Sequence, residues 1–115
     1  LGTFGLNNML ITRSGCCGRL GSLVTSLALP ADERPESEHC LFRYNSSCAL
    51  CLSRCVGNAL FAEGFDRQRC YELCRENEAL FTDLGKADVC GKCLVGLPCS
   101  LADPVEAMNR KPGKP

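Results

Sequence analysis

Eleven cysteines dominate the chemistry that this chain of 115 residues could perform. In a short chain, a cysteine content close to a tenth is typical of a disulfide scaffold or a thiolate metal site. The chain has five Phe, two Tyr and no Trp, so little aromatic mass is available for a core. Crosslinks are therefore expected to supply the stability that burial cannot.

A first helix is indicated by the spacing of Cys48, Cys51 and Cys55. Steps of three and four residues place these side chains on one face of an α-helix. Ser46 or Ser47 would serve as its N-cap, because a serine hydroxyl accepts a hydrogen bond from the unpaired N–H groups of the first turn.

A second helix is indicated by Cys70 and Cys74, which lie one turn apart in a run of helix-forming residues. Asp66 is suited to its N-cap. Residues 62–65 would form the turn between the two helices, which predicts an antiparallel helical hairpin.

The register of this hairpin favours one disulfide pairing among the many that the nine cysteines of residues 40–99 permit. Facing residues of an antiparallel pair have a constant sum of residue numbers, and this holds for Cys51 with Cys74 and for Cys55 with Cys70. Two disulfides one helical turn apart would fit that geometry. Each would stabilise the fold by about 3 kcal/mol in the loop-entropy model.

A third, shorter helix is predicted over residues 86–95, with Cys90 and Cys93 on one face. Their natural partners are Cys48 and Cys40, which lie beyond the open end of the hairpin. The predicted fold class is therefore all-α: a disulfide-stapled antiparallel helical hairpin with a third short helix.

An odd number of cysteines leaves one sulfur over. Cys99 follows Pro98 beyond the last predicted helix of the module, so we expect it to bridge two chains in a disulfide-linked homodimer. The competing outcome is a buried and inert Cys99.

Residues 1–31 differ in composition from the rest of the chain. They contain no acidic residue and include an apolar block over residues 20–29, in which Ser26 and Ala28 suit a signal peptidase. The segment is interpreted as a leader. The alternatives are a mature N-terminal helix or flexible arm, whose two adjacent cysteines join the disulfides, and a mitochondrial presequence.

The rest of the chain divides into three segments. Residues 32–39 are charged and proline-containing, as in a linker, and residues 40–99 form the cysteine-rich helical module. In residues 100–115, Asp103 is an N-cap followed by proline at the first helical position, so a short helix is predicted to about Arg110, with a frayed tail beyond it.

Several functional classes are excluded by composition. The 13 basic and 13 acidic side chains balance, which argues against a nucleic-acid binder. The longest uncharged runs have 12 residues, whereas a membrane-spanning helix needs about 20. His39 is the only histidine and is interpreted as a solvated linker residue. No catalytic set is evident, so an enzyme is not expected.

Metal binding by thiolates is a further alternative. Cys48 with Cys51 and Cys90 with Cys93 have a zinc-ligand spacing. The cysteines at helical spacing also resemble the lining of bacterial copper-storage bundles, which implies Cu(I) binding. Structural disulfides are preferred to both, and to a redox dithiol at residues 90–93, because no strand precedes that motif. No cofactor is predicted.

Two surface features could serve recognition. Phe61 and Phe65 at the predicted hairpin tip would act as apolar anchors for a receptor, flanked by Arg67 and Arg69. Asn45 begins an Asn-Ser-Ser glycosylation sequon just before the first helix.

The pattern Cys48-x2-Cys51…Cys70-x3-Cys74…Cys90 resembles the helical three-disulfide frame of the arthropod hyperglycaemic and ion-transport hormones and of the venom toxins derived from them. The N-terminal cysteine domain of opioid-peptide precursors is similar in outline. The resemblance covers residues 40–94 and implies a non-enzymatic ligand for a membrane receptor or ion channel.

The pattern Cys51-x3-Cys55-x14-Cys70-x3-Cys74 resembles the twin CxxxC motifs of small mitochondrial intermembrane-space chaperones. This resemblance implies a carrier of hydrophobic precursors.

We expect a secreted ligand (a hormone, pheromone or toxin), with the chaperone as the alternative. The two differ in apolar exposure, since a chaperone must display an apolar helix face. For a ligand, six side chains are predicted to be mostly buried: Leu50, Val56, Leu60, Leu73, Leu80 and Phe81.

Overall fold

The computed structural model describes residues 1–86 and 89–110. The chain opens with an antiparallel hairpin of β1 (Gly2–Phe4) and β2 (Leu10–Thr12), in which Thr3 pairs with Ile11. Asn8, at φ 57°, makes the tight reversal, because asparagine tolerates the left-handed region better than most residues. The N-terminal segment therefore folds as a β-hairpin and not as a helix.

The hairpin supplies the centre of the core. Ile11 is fully buried and Leu6 is 6% exposed. They pack in one cluster with residues from distant parts of the chain, namely Cys16, Cys40, Cys51, Leu60 and Leu97. Three of these seven members are cysteines, so the core is small and rich in sulfur.

Two five-residue helices follow the linker: α1 (Leu41–Asn45) and α2 (Leu50–Arg54). Neither has a side-chain N-cap hydrogen bond, so the predicted serine caps do not form. Ser46 instead ends α1 in a left-handed conformation.

A second hairpin follows α2, where the sequence predicted only a turn. It pairs β3 (Leu60–Phe61) with β4 (Gly64–Phe65). The long helix α3 (Arg67–Leu80) begins immediately after it. The Asp66 side chain accepts a hydrogen bond from the backbone N–H of Arg69 at 2.9 Å, which confirms the predicted N-cap.

The all-α prediction is wrong, because two antiparallel two-stranded sheets accompany the short helices in a mixed α/β fold. The predicted first helix fails after one turn: Cys55 is already extended, at φ −75° and ψ 96°. Gly57 and Asn58 follow, and both disfavour helix. Because α2 is so short, it does not extend along α3. It packs on β3 and on a 3₁₀-helix at Lys92–Leu94.

Helix α3 contacts the loop that precedes β3. The Arg69 Nε donates to the carbonyl oxygen of Gly57 at 3.1 Å. Gly57 also lies against Leu73, close enough that an added Cβ would be 3.3 Å from the leucine side chain. A loop-on-helix contact thus replaces the predicted helical hairpin.

The third helix is also not formed as predicted. Residues 87 and 88 lie outside the described residues; the described part of 86–95 contains only a 3₁₀-helix at Lys92–Leu94. Gly91 precedes it at φ 70°, a conformation that does not continue an α-helix. Another 3₁₀-helix, Thr82–Leu84, follows α3.

The C-terminal helix α4 (Pro104–Asn109) confirms the predicted cap. Asp103 accepts hydrogen bonds from the backbone N–H groups of Val105 and Glu106 at 2.9 and 3.0 Å. Pro104 and Val105 are buried, and α4 packs on α1. The predicted tail, residues 111–115, lies outside the described residues.

Replacing Asp103 with alanine should lower the free energy of unfolding by about 2 kcal/mol, the upper end for an N-cap, because this cap is only 7% exposed. Asp66→Ala, which removes the exposed cap of α3, is the matched control and should cost about 1 kcal/mol. Urea unfolding of both variants measures the difference. Equal costs would show that the burial of Asp103 has no energetic role.

Residues 18–31 are exposed along their whole length. In contrast, Leu6, Ile11 and Cys16 belong to the core, so the segment 1–31 contains a folded part and an exposed part. Within residues 1–86 and 89–110, no helix is long and apolar enough to cross a membrane.

Candidate functional site

Ten of the eleven cysteines gather in two clusters. The first, called the hairpin cluster, lies where the N-terminal hairpin meets α1, α2 and the C-terminal segment; the second, called the helix cluster, lies beside α3. The hairpin cluster comprises Cys16, Cys40, Cys48, Cys51 and Cys99, and the helix cluster comprises Cys55, Cys70, Cys74, Cys90 and Cys93.

The pKa shifts of Cys51 and Cys99 indicate which cysteines of the hairpin cluster lie near one another. Burial raises the pKa of Cys51, and negative charge on Cys40 and Cys48 raises it further. The hydrogen bond with Cys16 and burial raise the pKa of Cys99, and negative charge on Cys16 and Cys40 raises it further. Cys40 therefore connects the α2 side of the cluster with the side formed by the N-terminal hairpin.

The helix cluster is held together by the same kind of interaction. Burial raises the pKa of Cys70, followed by charge on Cys74, Cys55 and Cys90. Burial also raises the pKa of Cys93 to about 11, with Cys55 as the next cause. Cys70 and Cys93 are therefore protonated at neutral pH, the state in which sulfur is least nucleophilic.

Cys16 and Cys99 lie side by side, with their Sγ atoms 3.9 Å apart. Their backbones are also joined, since the Cys16 N–H donates to the Cys99 carbonyl at 2.8 Å. The next residue continues the contact: the Cys17 N–H donates to the Ser100 carbonyl at 2.9 Å. Backbone hydrogen bonds thus join two segments that are far apart in sequence.

The two sulfurs of this pair have opposite acidities. The hydrogen bond with Cys99 is the main reason that the pKa of Cys16 falls to about 6; burial opposes the fall, and the Asn7 amide, 3.8 Å from the Cys16 Sγ, assists it. The same hydrogen bond raises the pKa of Cys99. At neutral pH Cys16 is therefore the thiolate of this pair.

Removing the Cys99 sulfur should return the pKa of Cys16 from about 6 toward the ordinary thiol value near 9. In the reduced protein, Cys99→Ala should therefore move the midpoint of Cys16 alkylation upward by more than one pH unit, whereas Cys17→Ala should leave it in place. Mass spectrometry of samples alkylated across a pH series gives each midpoint. An unchanged midpoint in Cys99→Ala would contradict the assigned cause.

The structure contains no disulfide among the eleven cysteines, so the sequence-predicted pairings remain predictions. Cys55 and Cys70 lie in the same cluster. Cys51 lies in the hairpin cluster and Cys74 in the helix cluster. Cys90 and Cys93 are likewise placed with Cys55 and Cys70, and not with their predicted partners Cys48 and Cys40.

The cysteine predicted to bridge two chains has a neighbour within its own chain. Cys99 is half-buried beside Cys16. Cys17 is the exposed cysteine, with its Sγ donating to the Leu94 carbonyl at 3.1 Å. In the part of the chain that the structure describes, no group of three or more His, Cys, Asp or Glu side chains could hold a metal ion.

His39 is buried, contrary to the prediction of a solvated linker residue. Its Nδ1 lies 3.0 Å from a carboxylate oxygen of Asp103, although the approach lacks hydrogen-bond geometry. The backbone N–H of His39 donates to the Thr3 hydroxyl at 2.8 Å. Nothing in the local sequence signals this role, because both partners are more than 30 residues away.

The predicted receptor-binding residues surround the second hairpin. Phe61 is 43% exposed, whereas Phe65 packs against the core. Arg67 is exposed and lines an open cleft of about 370 Å³ between the tip of this hairpin and Arg43 of α1. Arg69 has the structural contact with Gly57 already described.

The glycosylation residue is accessible. Asn45 is exposed at the end of α1, and its side-chain oxygen accepts from the Ser47 N–H at 3.1 Å. Its amide nitrogen, the atom that glycosylation would modify, donates to the Met108 Sδ at 3.8 Å.

The predicted burial of six apolar side chains is wrong for most of them. Only Leu60 is buried, and Leu73 is half-buried. The other four are at least 48% exposed: Leu50, Val56, Leu80 and Phe81. Because the helices do not pair, no helix face is available to cover these residues.

Comparison with known proteins finds no matching family model, no matching curated protein and no matching solved structure.

Proposed function

We propose that this protein is a secreted, disulfide-stabilised ligand that binds a membrane receptor or ion channel. The observation that carries the proposal is the gathering of ten cysteines in two clusters around a small core. Disulfides persist in the oxidising environments outside the cytosol, where small domains depend on them.

The dependence on crosslinks follows from how little apolar surface is buried. The accessible surface is 8992 Å², compared with about 6,100 Å² for a typical folded monomer of this mass. Four of the ten buried apolar residues are cysteines, and Ile11 is the only large side chain that is fully buried within the described residues. Such a core stabilises a fold weakly, and disulfides offset the deficit.

The best candidate for the receptor-facing surface is the second hairpin. Phe61 presents an aromatic ring that is 43% exposed, and the neighbouring cleft is lined by Arg43, Glu63 and Arg67. An exposed aromatic anchor flanked by arginines has the composition of a binding hot spot.

Binding of fluorescent, oxidised protein to intact cells tests this function. Saturable binding that is competed by unlabelled protein, and weakened at least tenfold by Phe61→Ala with Arg67→Ala, would support it. Leu29→Ala, in the exposed segment, is the control and should bind normally. Loss of binding in the control as well would reject the second hairpin as the receptor-binding surface, and the absence of saturable binding to any cell type would reject the ligand function.

One observation favours the intermembrane-space chaperone as the second candidate: Leu50, Val56, Leu80 and Phe81 are exposed. The absence of contacts between α2 and α3 weighs against it, since the twin CxxxC motif needs paired helices. Suppressed aggregation of a hydrophobic membrane-protein segment, without receptor binding, would favour the chaperone over the ligand.

A further inference from the structure

We propose that Cys16 and Cys99 form a thiol–disulfide exchange site, which reacts with a small disulfide such as glutathione disulfide and closes into an intramolecular Cys16–Cys99 bond. The inference extends the proposed function by assigning one specific pair. It departs from the interchain role predicted for Cys99.

The geometry carries this pairing. The Sγ atoms are 3.9 Å apart, and rotation of the two side chains can close the gap to the disulfide length of about 2 Å. The Cys16 N–H donates to the Cys99 carbonyl.

The surroundings set the order of reaction. Cys16 is the thiolate of the pair and Cys99 keeps its proton. The Asn7 amide lies 3.8 Å from the Cys16 sulfur, so a dipole from the first hairpin stabilises the negative charge. Thiolates and not thiols attack disulfides, which makes Cys16 the attacking sulfur.

The exchange proceeds in two steps. The Cys16 thiolate attacks one sulfur of glutathione disulfide, whose S–S bond breaks and releases one glutathione thiolate. Cys99 then loses its proton to that thiolate and attacks the Cys16 sulfur, and the mixed S–S bond breaks to release the second glutathione thiolate. Two cysteine thiols are oxidised by two electrons in total, and one glutathione disulfide is reduced to two glutathiones.

The bond would attach the first hairpin covalently to the segment that precedes α4. Cys16 follows β2, and Cys99 is followed by Ser100 and the capped start of α4. Because a stabilised thiolate favours the reduced form, this bond is expected to be reduced more easily than those of the helix cluster. The protonated thiols Cys70 and Cys93 belong to that second group.

The test oxidises full-length reduced protein in glutathione buffers of increasing oxidised fraction, quenches with acid and alkylating agent, and maps disulfides by mass spectrometry. Trypsin releases residues 14–19, which contain both Cys16 and Cys17. Cys17→Ser is therefore used beside the wild type, so that any bond from this peptide comes from Cys16. Chymotryptic cleavage after Leu94 separates Cys99 from Cys93.

A Cys16–Cys99 bond, lost in the most reducing buffers while other bonds persist, is the expected result. Cys16→Ser should eliminate it and leave the Cys99 peptide alkylated. If Cys16 bonds elsewhere while other disulfides form, the inference fails and the proposed function stands. If the Cys16–Cys99 bond forms alone, the inference stands and the disulfide-stabilised ligand fails. If no disulfide forms, both fail.

Discussion

Replacing Gly15 with alanine is expected to detach the first hairpin from the rest of the fold. Gly15 has φ +85°, and an added Cβ would overlap the carbonyl group of Ser100. The overlap is with backbone, so no side-chain rotation relieves it. The positive φ adds about 1 kcal/mol or more for a residue with a Cβ. We expect a total loss of several kcal/mol, comparable to the whole stability of a small domain.

Two glycine controls separate the causes of this effect. An alanine at Gly18 would meet no atom within 4 Å, so Gly18→Ala should change stability by less than about 0.5 kcal/mol. Gly91 has φ +70° and also has open space, so Gly91→Ala should show the conformational cost without the overlap. Hydrogen exchange at Ile11 and Cys16 reports whether the hairpin stays attached. Full protection of these amides in Gly15→Ala would contradict the placement of residue 15 against Ser100.

Truncating Ile11 to alanine should have the next largest effect. Its side chain is completely buried within the core cluster. Removing buried methylene and methyl groups costs about 2–5 kcal/mol in most cores. Because the core has few other large side chains, the remaining atoms have little means of filling the cavity. We therefore expect a loss near the upper end of that range, measured by urea unfolding of the oxidised protein.

Leu29→Ala is the matched control for Ile11→Ala. Leu29 is 71% exposed, so the same loss of apolar atoms should change the free energy of unfolding by less than about 0.5 kcal/mol. A similar small effect at Ile11 would mean that the first hairpin does not contribute to the core.

Local signals predicted the caps of two helices. Asp66 and Asp103 each precede a run of helix formers and each accept the expected hydrogen bonds. Capping depends on residues within one turn of each other, so it can be inferred from sequence without knowledge of the fold. For the same reason the start of α3 was predicted correctly.

Contacts between residues far apart in sequence could not be predicted from such local signals. Cysteines at helical spacing predicted a helix through Cys55, but the chain becomes extended there, and Gly57 packs on Leu73 instead. The hairpin that contains Ile11 was interpreted as a leader or an arm. Its two strands have three residues each, too few to show an alternating pattern.

The sequence predicted which residues form the candidate site but not how they are arranged in space. The sequence identified the cysteines as the chemical groups, but pairing them needs distances across the fold. Cys16 and Cys99 are 83 residues apart and share no periodic relation. The contact between His39 and Asp103 is hidden for the same reason.

We expect disulfides among the clustered cysteines to hold this fold together. The most direct measurement is the intact mass of protein from a secretory host, purified without reductant, before and after reduction. Two pairs can form within each cluster of five cysteines, so we expect the mass per chain to rise by at least eight hydrogens and cooperative unfolding to be lost once the bonds are reduced. An unchanged mass, with all cysteines reacting as thiols in a protein that still unfolds cooperatively, would contradict the claim.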